Sequence, residues 1–185
     1  MVSPHTAVFD DANISNTIEG LLSGKYRGSG QTCVSPNRIF IQAGIHDEFV
    51  AKMQMEIEQK MRVGPLDEED TTLGCLINTA AADKVERLVR DARAKGANLI
   101  LGGERSKDQR KTFYPATILT GMNASMQASH EEIFGPLVAV YKFKTEDEVI
   151  ELANDSSVGL AAYIFTNDLS TSWRMAEKLE GTNSL

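Results

Sequence analysis

Residues 137–148 read LVAVYKFKTEDE and contain the start of both kinds of regular structure that this chain repeats. Apolar, β-branched and aromatic residues dominate 137–143, which favours a strand. Thr145 and Glu148 then stand at the spacing of a capping box, which predicts a helix from this point to about Ala153. A strand followed at once by a helix is the repeating unit of α/β folds.

The same alternation continues on both sides of this stretch. Apolar residues at helical spacing predict helices over 47–62 and 79–95, after which Gly96 is placed to follow a helix C-terminus. Two further helical faces are marked by Ile14, Ile18, Leu21 and Leu22 and by Leu169, Trp173 and Ala176, the second helix ending near Gly181. Short apolar runs predict additional strands over 38–42, 98–101, 116–119 and 160–166. We therefore expect one α/β domain with an open, largely parallel sheet and flanking helices.

Composition excludes several classes of partner. The chain has 185 residues, 42% of them hydrophobic, and a net charge of -7, so it matches neither nucleic acid nor an anionic membrane surface. No apolar run approaches the ~18 residues of a spanning helix. Residues 1–5 lack the basic and apolar regions of a secretory signal. We expect a cytoplasmic protein without nucleic-acid or membrane partners.

The cysteines and histidines indicate neither a disulfide framework nor a metal site. Cys33 and Cys75 lie far apart in sequence, and two cysteines do not make a disulfide scaffold. Together with the three scattered histidines they show no zinc-ligand spacing. We therefore predict no metal.

One loop could carry chemistry. Residues 25–38, KYRGSGQTCVSPNR, lie between a predicted helix and a predicted strand and include two glycines, a proline and the thiol of Cys33. Such a loop can hold a side chain toward a cleft while the scaffold fixes its position. An isolated cysteine is more often a buried, inert thiol than a nucleophile. The residue type alone therefore gives Cys33 little support.

Several motifs in order carry a family resemblance. Residues 30–33 (GQTC) are followed by Asn37, Arg38 and an apolar strand. The other matching segments are 9–12 (FDDA), 74–77 (GCLI), 131–136 (EEIFGP) and 158–162 (VGLAA). From about residue 6 to 183, the chain resembles the cysteine-bearing catalytic domain of the aldehyde dehydrogenase superfamily.

The resemblance implies a reaction and three site residues. Cys33 would attack an aldehyde to give a thiohemiacetal, its own backbone N–H would bind the oxyanion, and NAD or NADP would take the hydride before the thioester is hydrolysed. Glu132 matches the residue that binds the nicotinamide ribose, and Phe134 matches the aromatic ring beside it. Outside the motif, a surface carboxylate and a core ring would be the commoner roles. The intact family enzymes also imply a homo-oligomer.

Arg27 bears on the substrate. It stands six residues before Cys33, where succinate-semialdehyde dehydrogenases carry an arginine that binds the distal carboxylate. The resemblance thus implies an acidic aldehyde, succinate semialdehyde first; the alternative is a surface ion pair. Some of these enzymes have a second cysteine at the position of Ser35, so that local disulfide is excluded here. Cys75 replaces a usual proline, and a packed thiol is expected.

Other parts of the family pattern find no match in residues 1–185. These are the dinucleotide-binding domain, the general-base glutamate of a Glu-Leu-Gly-Gly segment, the oxyanion-hole asparagine and the final active-site loop. We expect residues 1–185 to form a truncated catalytic domain that is inactive alone in hydride transfer.

Two alternatives stay open. The first is a cysteine-dependent esterase or thioesterase, for which His130 is the one histidine worth testing as a base. The second is a non-catalytic oligomerisation domain.

Overall fold

Strands and helices alternate along the part of the chain that the computed structural model describes, residues 4–105, 111–156 and 159–180. The strands are β1 (His5–Val8), β2 (Arg38–Gln42), β3 (Asn98–Leu101), β4 (Thr117–Thr120), β5 (Leu137–Phe143) and β6 (Ala162–Phe165). The α-helices are α1 (Ile14–Tyr26), α2 (His46–Lys60), α3 (Thr79–Ala94), α4 (Glu146–Asn154) and α5 (Leu169–Lys178). Short 3₁₀ turns lie at Arg27–Gly30 and Gln127–Ser129.

The strands form one six-stranded sheet in the order β3-β4-β5-β2-β1-β6. Every neighbouring pair is parallel except β3 and β4, which run antiparallel. This confirms the predicted α/β class with an open, largely parallel sheet. Because β2 and β5 are parallel neighbours, the loops that enter them meet at the same edge of the sheet.

The core lies on both faces of the sheet, and side chains of each strand alternate between the faces. Leu137, Ala139 and Tyr141 of β5 pack with the apolar stripe of α3 and with residues of α4. Val138 and Val140 of the same strand pack with α1 and α2. The sheet is therefore covered on both faces, as parallel sheets are.

Most predicted elements are confirmed to within two residues at each end. Thr145 Oγ1 accepts a hydrogen bond from the Glu148 N–H, as the capping box predicts. Gly96 follows α3 with a φ of +99°. The strand predicted over 160–166 is shorter, and the sequence missed β1 altogether. The predicted end of the last helix, Gly181, lies outside the described residues, as does Val158.

The face of α5 differs from the pattern that marked it. Leu169 and Trp173 are 71% and 64% exposed, whereas Met175 and Thr171 are buried. Apolar spacing identified the helix correctly because 3.6-residue periodicity reports the conformation. The apolar face that the spacing marked is nevertheless exposed in α5, against the usual burial of such a face.

Candidate active site

The Cys33 loop and the segment 131–136 meet at the entry edge of β2 and β5. The first leads into β2 and the second into β5. Three kinds of contact join them: a close backbone approach, side-chain hydrogen bonds and a buried charge. Residues about 100 positions apart in sequence thus share one small surface.

A left-handed backbone turn precedes Cys33. Gly28, Ser29 and Gly30 have φ angles of +57°, +58° and +76° in succession. Ser29 is not a glycine, so it carries backbone strain of about 1 kcal/mol or more. Its buried hydroxyl donates to the Gly74 carbonyl at 2.8 Å, which helps to hold that conformation. The other described non-glycine residue with positive φ is Phe134, at +48° in the partner segment.

Gly30 is the point of closest approach between the two segments. A Cβ at Gly30 would lie 2.3 Å from the Gly135 carbonyl oxygen and 3.1 Å from that of Lys25. Both atoms are backbone, so neither can move aside cheaply. The site therefore requires glycine at position 30 for space as well as for its φ angle.

Asn37 ties the loop to the peptide groups on either side of Glu132. Its Oδ1 accepts from the Ile133 N–H at 2.7 Å, and its Nδ2 donates to the Glu131 carbonyl at 3.3 Å. The Asn37 side chain is buried. The backbone of Glu132 is therefore fixed relative to the loop that carries Cys33.

Ser29 and Gln31 hold a third segment, residues 74–77, against the loop. Gln31 Oε1 accepts from the Ile77 N–H at 2.8 Å, and Gln31 Nε2 donates to the Gly28 carbonyl at 3.0 Å and to that of Cys75 at 3.5 Å. Gln31 thus orients the loop through hydrogen bonds to backbone groups. Cys75 is exposed, so the packed thiol expected there is wrong.

Lys25 lies under the loop. Its side chain is only 1% exposed, and Nζ donates to the Pro36 carbonyl at 2.8 Å. Burial lowers the pKa of Lys25 to about 7, and the negative charge of Glu132 acts in the opposite direction. No pattern in the sequence indicates a buried role for this residue, because a lysine in the last turn of a helix is usually solvated.

Cys33 itself is exposed at the end of this supported loop. The Ser35 N–H donates to the Thr32 carbonyl at 3.1 Å, which closes a turn around the cysteine. Within the described residues, nothing accepts from the Cys33 N–H. Tyr163 of β6 donates its hydroxyl to the Val34 carbonyl at 2.8 Å.

Arg27 is exposed at the start of the same loop. In the described part of the chain, its guanidinium makes neither a hydrogen bond nor an ion pair. The surface ion pair that was the alternative role of Arg27 is therefore not formed there. Its five N–H groups are left to bind an external anion.

The two adjacent glutamates have different partners. Glu131 forms an ion pair with Arg87, with Nη2 at 2.8 Å from Oε1. Glu132 is half-buried, and among the described residues no donor reaches its carboxylate. Phe134 is 38% exposed beside it. A carboxylate with unused acceptors next to an exposed ring can take two hydroxyl donors, as a ribose presents.

His130 lies apart from this arrangement. Its Nε2 donates to the Ala124 carbonyl at 2.6 Å, and its ring lines a separate cavity with Arg38 and Tyr141. Among the described residues, neither a hydrogen bond nor an ion pair joins His130 to Cys33, so the base that the thioesterase alternative needs has no support there. In the described part of the chain, no three potential metal ligands lie together. No helix there has both the length and the apolar composition needed to span a membrane.

Sequence comparison identifies the class of protein to which this site belongs. The family model described as “Aldehyde dehydrogenase family” matches residues 3–184. The chain belongs to the aldehyde dehydrogenase family.

Two curated relatives show which members of the family this chain is similar to. The mitochondrial succinate-semialdehyde dehydrogenase of Arabidopsis thaliana is 49% identical over 173 residues, which are 94% of this chain and 32% of the relative. The Homo sapiens protein of the same name is 45% identical over the same shares of each chain. The chain thus spans about a third of the length of these curated relatives.

Solved structures share the fold across different substrates. Succinate-semialdehyde dehydrogenase from Burkholderia pseudomallei superimposes with a TM-score of 0.93 at 42% identity, over 98% of this chain and 37% of that one. Lactaldehyde dehydrogenase from Escherichia coli gives a TM-score of 0.90 at 34% identity, over 97% and 37%. Since enzymes named for different aldehydes share this fold, the substrate has to be argued from side chains.

Proposed function

We propose that this chain carries the nucleophile and the substrate-binding arginine of a succinate-semialdehyde dehydrogenase. The carrying observation is that one rigid loop presents both an exposed thiol, Cys33, and an unpaired guanidinium, Arg27. The named relatives support the substrate, since several are succinate-semialdehyde dehydrogenases.

The chemistry follows from the groups on the loop. The Cys33 thiolate attacks the aldehyde carbon, forming a C–S bond while the carbonyl electron pair moves to oxygen. The unpaired N–H of Cys33 donates to that oxyanion. With a hydride acceptor bound, hydride transfer would leave a thioester on Cys33, and water would hydrolyse that thioester to release the acid and the thiol. Arg27 holds the distal carboxylate of the substrate through a bidentate pair.

The cofactor we assign is NAD or NADP, and the residues present fit one part of it. Glu132 would accept from the nicotinamide ribose hydroxyls, and Phe134 would pack beside that ribose. When bound, the nicotinamide supplies the hydride acceptor. Asn37 fixes the peptide groups around Glu132, so this carboxylate keeps its position relative to Cys33.

Protection of the thiol tests this proposal without any cofactor. The 185-residue chain is incubated with succinate semialdehyde or with butanal and then alkylated with iodoacetamide, and each cysteine is quantified by mass spectrometry. We expect succinate semialdehyde to protect Cys33 and to leave Cys75 unprotected. In Arg27→Ala the protection constant for succinate semialdehyde should weaken about tenfold, as expected for a charged hydrogen-bonded pair, while that for butanal stays unchanged.

Arg90→Ala is the matched control, because Arg90 is an exposed arginine on α3. It should leave both protection constants unchanged. Equal protection of Cys33 and Cys75 would contradict the role of Cys33. An Arg27→Ala effect that is the same for both aldehydes would contradict carboxylate binding.

We further expect residues 1–185 by themselves to reduce neither NAD nor NADP. The chain matches about a third of its relatives' length, and the glycine-rich strand–turn–helix of a dinucleotide site finds no match in it. Absorbance at the reduced-nicotinamide band is the measurement. Formation of NADH or NADPH by the purified chain would contradict this expectation.

Assembly and location complete the proposal. We infer a homo-oligomer in the intact enzyme, which size-exclusion chromatography with light scattering tests on the purified chain. A cytoplasmic location is also our prediction. The curated relatives from Arabidopsis thaliana and Homo sapiens are described as mitochondrial, so cell fractionation is the deciding measurement.

A further inference from the structure

Tyr163 connects the Cys33 loop to β6, a strand that is not adjacent to this loop in sequence. Its hydroxyl donates to the Val34 carbonyl at 2.8 Å, across 129 residues of sequence. Tyr163 stands in β6, where its Cα partner in β1 is Thr6. The phenol is thus anchored by the sheet, and the carbonyl that it holds belongs to the residue directly after Cys33.

This hydrogen bond adds to a second one from inside the protein. Lys25 Nζ holds the Pro36 carbonyl, two residues further along, at 2.8 Å. Cys33 lies in the turn that the Ser35 N–H closes onto the Thr32 carbonyl. In sequence, the left-handed turn at Gly28–Gly30 precedes Cys33, and the two hydrogen-bonded carbonyls, of Val34 and Pro36, follow it. A tyrosine ring has only two rotatable bonds, so a hydrogen bond from it transmits the position of β6 accurately.

The charge of Cys33 acts on the Tyr163 phenol. Burial raises the pKa of Tyr163, and the negative charge of Cys33 raises it further. The Tyr163 phenol therefore remains protonated, and able to donate, at neutral pH. Other titratable groups lie on the elements that pack against β6: His5 in β1, Glu19, Lys25 and Tyr26 in α1, and Arg174, Glu177 and Lys178 in α5.

We propose that Tyr163 is a positioning residue for Cys33, whose hydrogen bond to the Val34 carbonyl fixes the direction of the thiol relative to Arg27. The proposal rests on the function proposed for Cys33. It assigns Tyr163 no contact with substrate. It makes the strand β6 part of the machinery that aims the nucleophile.

Tyr163→Phe tests the proposal, since it removes one oxygen and keeps the ring. The loss of one hydrogen bond, about 1 kcal/mol, should weaken protection of Cys33 by succinate semialdehyde roughly fivefold. Alkylation of Cys75 should be unchanged. Tyr141→Phe is the matched control: Tyr141 bonds to Ser129 at 2.8 Å in the core, so its loss should not change protection of Cys33.

Titration of the tyrosines gives a measurement that would not change if Tyr163 had only a structural role. The other three tyrosines are more deeply buried, and burial raises the pKa of each, so Tyr163 should ionise first as the pH rises. Cys33→Ser removes the thiolate and should lower the pH of that first transition, measured as tyrosinate absorbance. The transition should be absent in Tyr163→Phe.

The outcomes separate the two proposals. Equal protection in the wild type and Tyr163→Phe, or a first transition that Cys33→Ser does not shift, overturns the role of Tyr163. Absence of protection in the wild type overturns the proposed function of Cys33. The titration and the alkylation rate of Cys33 in Tyr163→Phe would in that case still decide whether Tyr163 positions the thiol.

Discussion

Cys33 and Cys75 are both exposed, but the segments that carry them are held in different ways. The Cys33 loop is fixed by Lys25, Asn37 and Tyr163, which lie in α1, directly before β2 and in β6. Residues 74–77 are held against that loop by hydrogen bonds of Ser29 and Gln31. Exposure alone therefore does not distinguish a candidate nucleophile from a bystander. We propose that the supports which position the thiol make that distinction.

The largest expected loss of stability comes from adding a side chain at Gly30, where two backbone segments lie close together. In Gly30→Ala the new Cβ would meet the Gly135 carbonyl oxygen at 2.3 Å and would also force an alanine into φ +76°. We expect a loss of roughly 4 kcal/mol or more in the free energy of unfolding, measured by urea titration.

Gly96→Ala separates the two causes. Gly96 has a φ of +99°, but a Cβ there meets nothing within 4 Å, so about 1 kcal/mol is expected from backbone strain alone. If the two variants lose the same free energy, close packing of the Cys33 loop on Gly135 is not what holds the site.

A smaller effect is expected from Asn37→Ala. The change leaves the Ile133 N–H and the Glu131 carbonyl without their buried partner, which costs about 3 kcal/mol. Hydrogen exchange of the 131–135 peptide should become faster than in the wild type.

Asn78→Ala is the control for Asn37→Ala. Asn78 caps α3 by accepting from the Ala81 N–H at 2.8 Å, so about 1 kcal/mol is expected and the 131–135 peptide should exchange as in the wild type. Unchanged exchange of that peptide in Asn37→Ala would show that the two hydrogen bonds of Asn37 do not fix the backbone of Glu132.

Lys25→Met should change how stability depends on pH. The pKa of Lys25 is lowered to about 7 in the folded chain, against about 10.4 when unfolded, so the unfolded state binds more protons between these values. In that window the wild type should gain up to about 1.4 kcal/mol per pH unit relative to Lys25→Met. Below pH 7 both states are protonated and the difference should be constant.

Urea titrations from pH 6 to 9 under reducing conditions measure this. Lys144→Met, at an exposed lysine, should run parallel to the wild type throughout. A Lys25→Met curve that is also parallel to the wild type would show that the ammonium of Lys25 is solvated, against its burial beneath the loop.

The smallest effect is expected at the other cysteine. Cys75 is exposed, and the described contact of its residue with the Cys33 loop is through its backbone carbonyl. Cys75→Ser should change the free energy of unfolding by less than about 0.5 kcal/mol. The alkylation rate of Cys33 should also stay the same, and a large change in it would mean that the Cys75 side chain helps to hold the Cys33 loop.

The sequence predicted the elements better than the contacts between them. Strands β2, β3 and β5 have the predicted bounds, because each is an apolar run with polar or turn residues around it. Strand β1 was missed since HTAV has too few strand-forming residues, and its place between β2 and β6 decides its structure. The apolar spacing of Leu169 and Trp173 favours a buried face, and their exposure depends on how α5 packs on the sheet, which local spacing does not contain.

For the candidate site, motif resemblance supplied Cys33, Glu132, Phe134 and Arg27. It did not supply the groups that join them. Asn37 was quoted as part of a motif without a role, and its two hydrogen bonds depend on a segment about 95 residues away. Lys25 and Tyr163 have no local signal at all, because burial and partner are properties of the folded chain.

The most direct test of the central claim is carbon-13 NMR of succinate semialdehyde labelled at its aldehyde carbon. Bound to the wild-type chain or to Cys75→Ser, the label should give a sulfur-bound tetrahedral resonance that is distinct from the free aldehyde and its hydrate. The resonance should be absent in Cys33→Ser and should need about tenfold more aldehyde in Arg27→Ala. The same resonance in Cys33→Ser, or none in the wild type, would contradict the account.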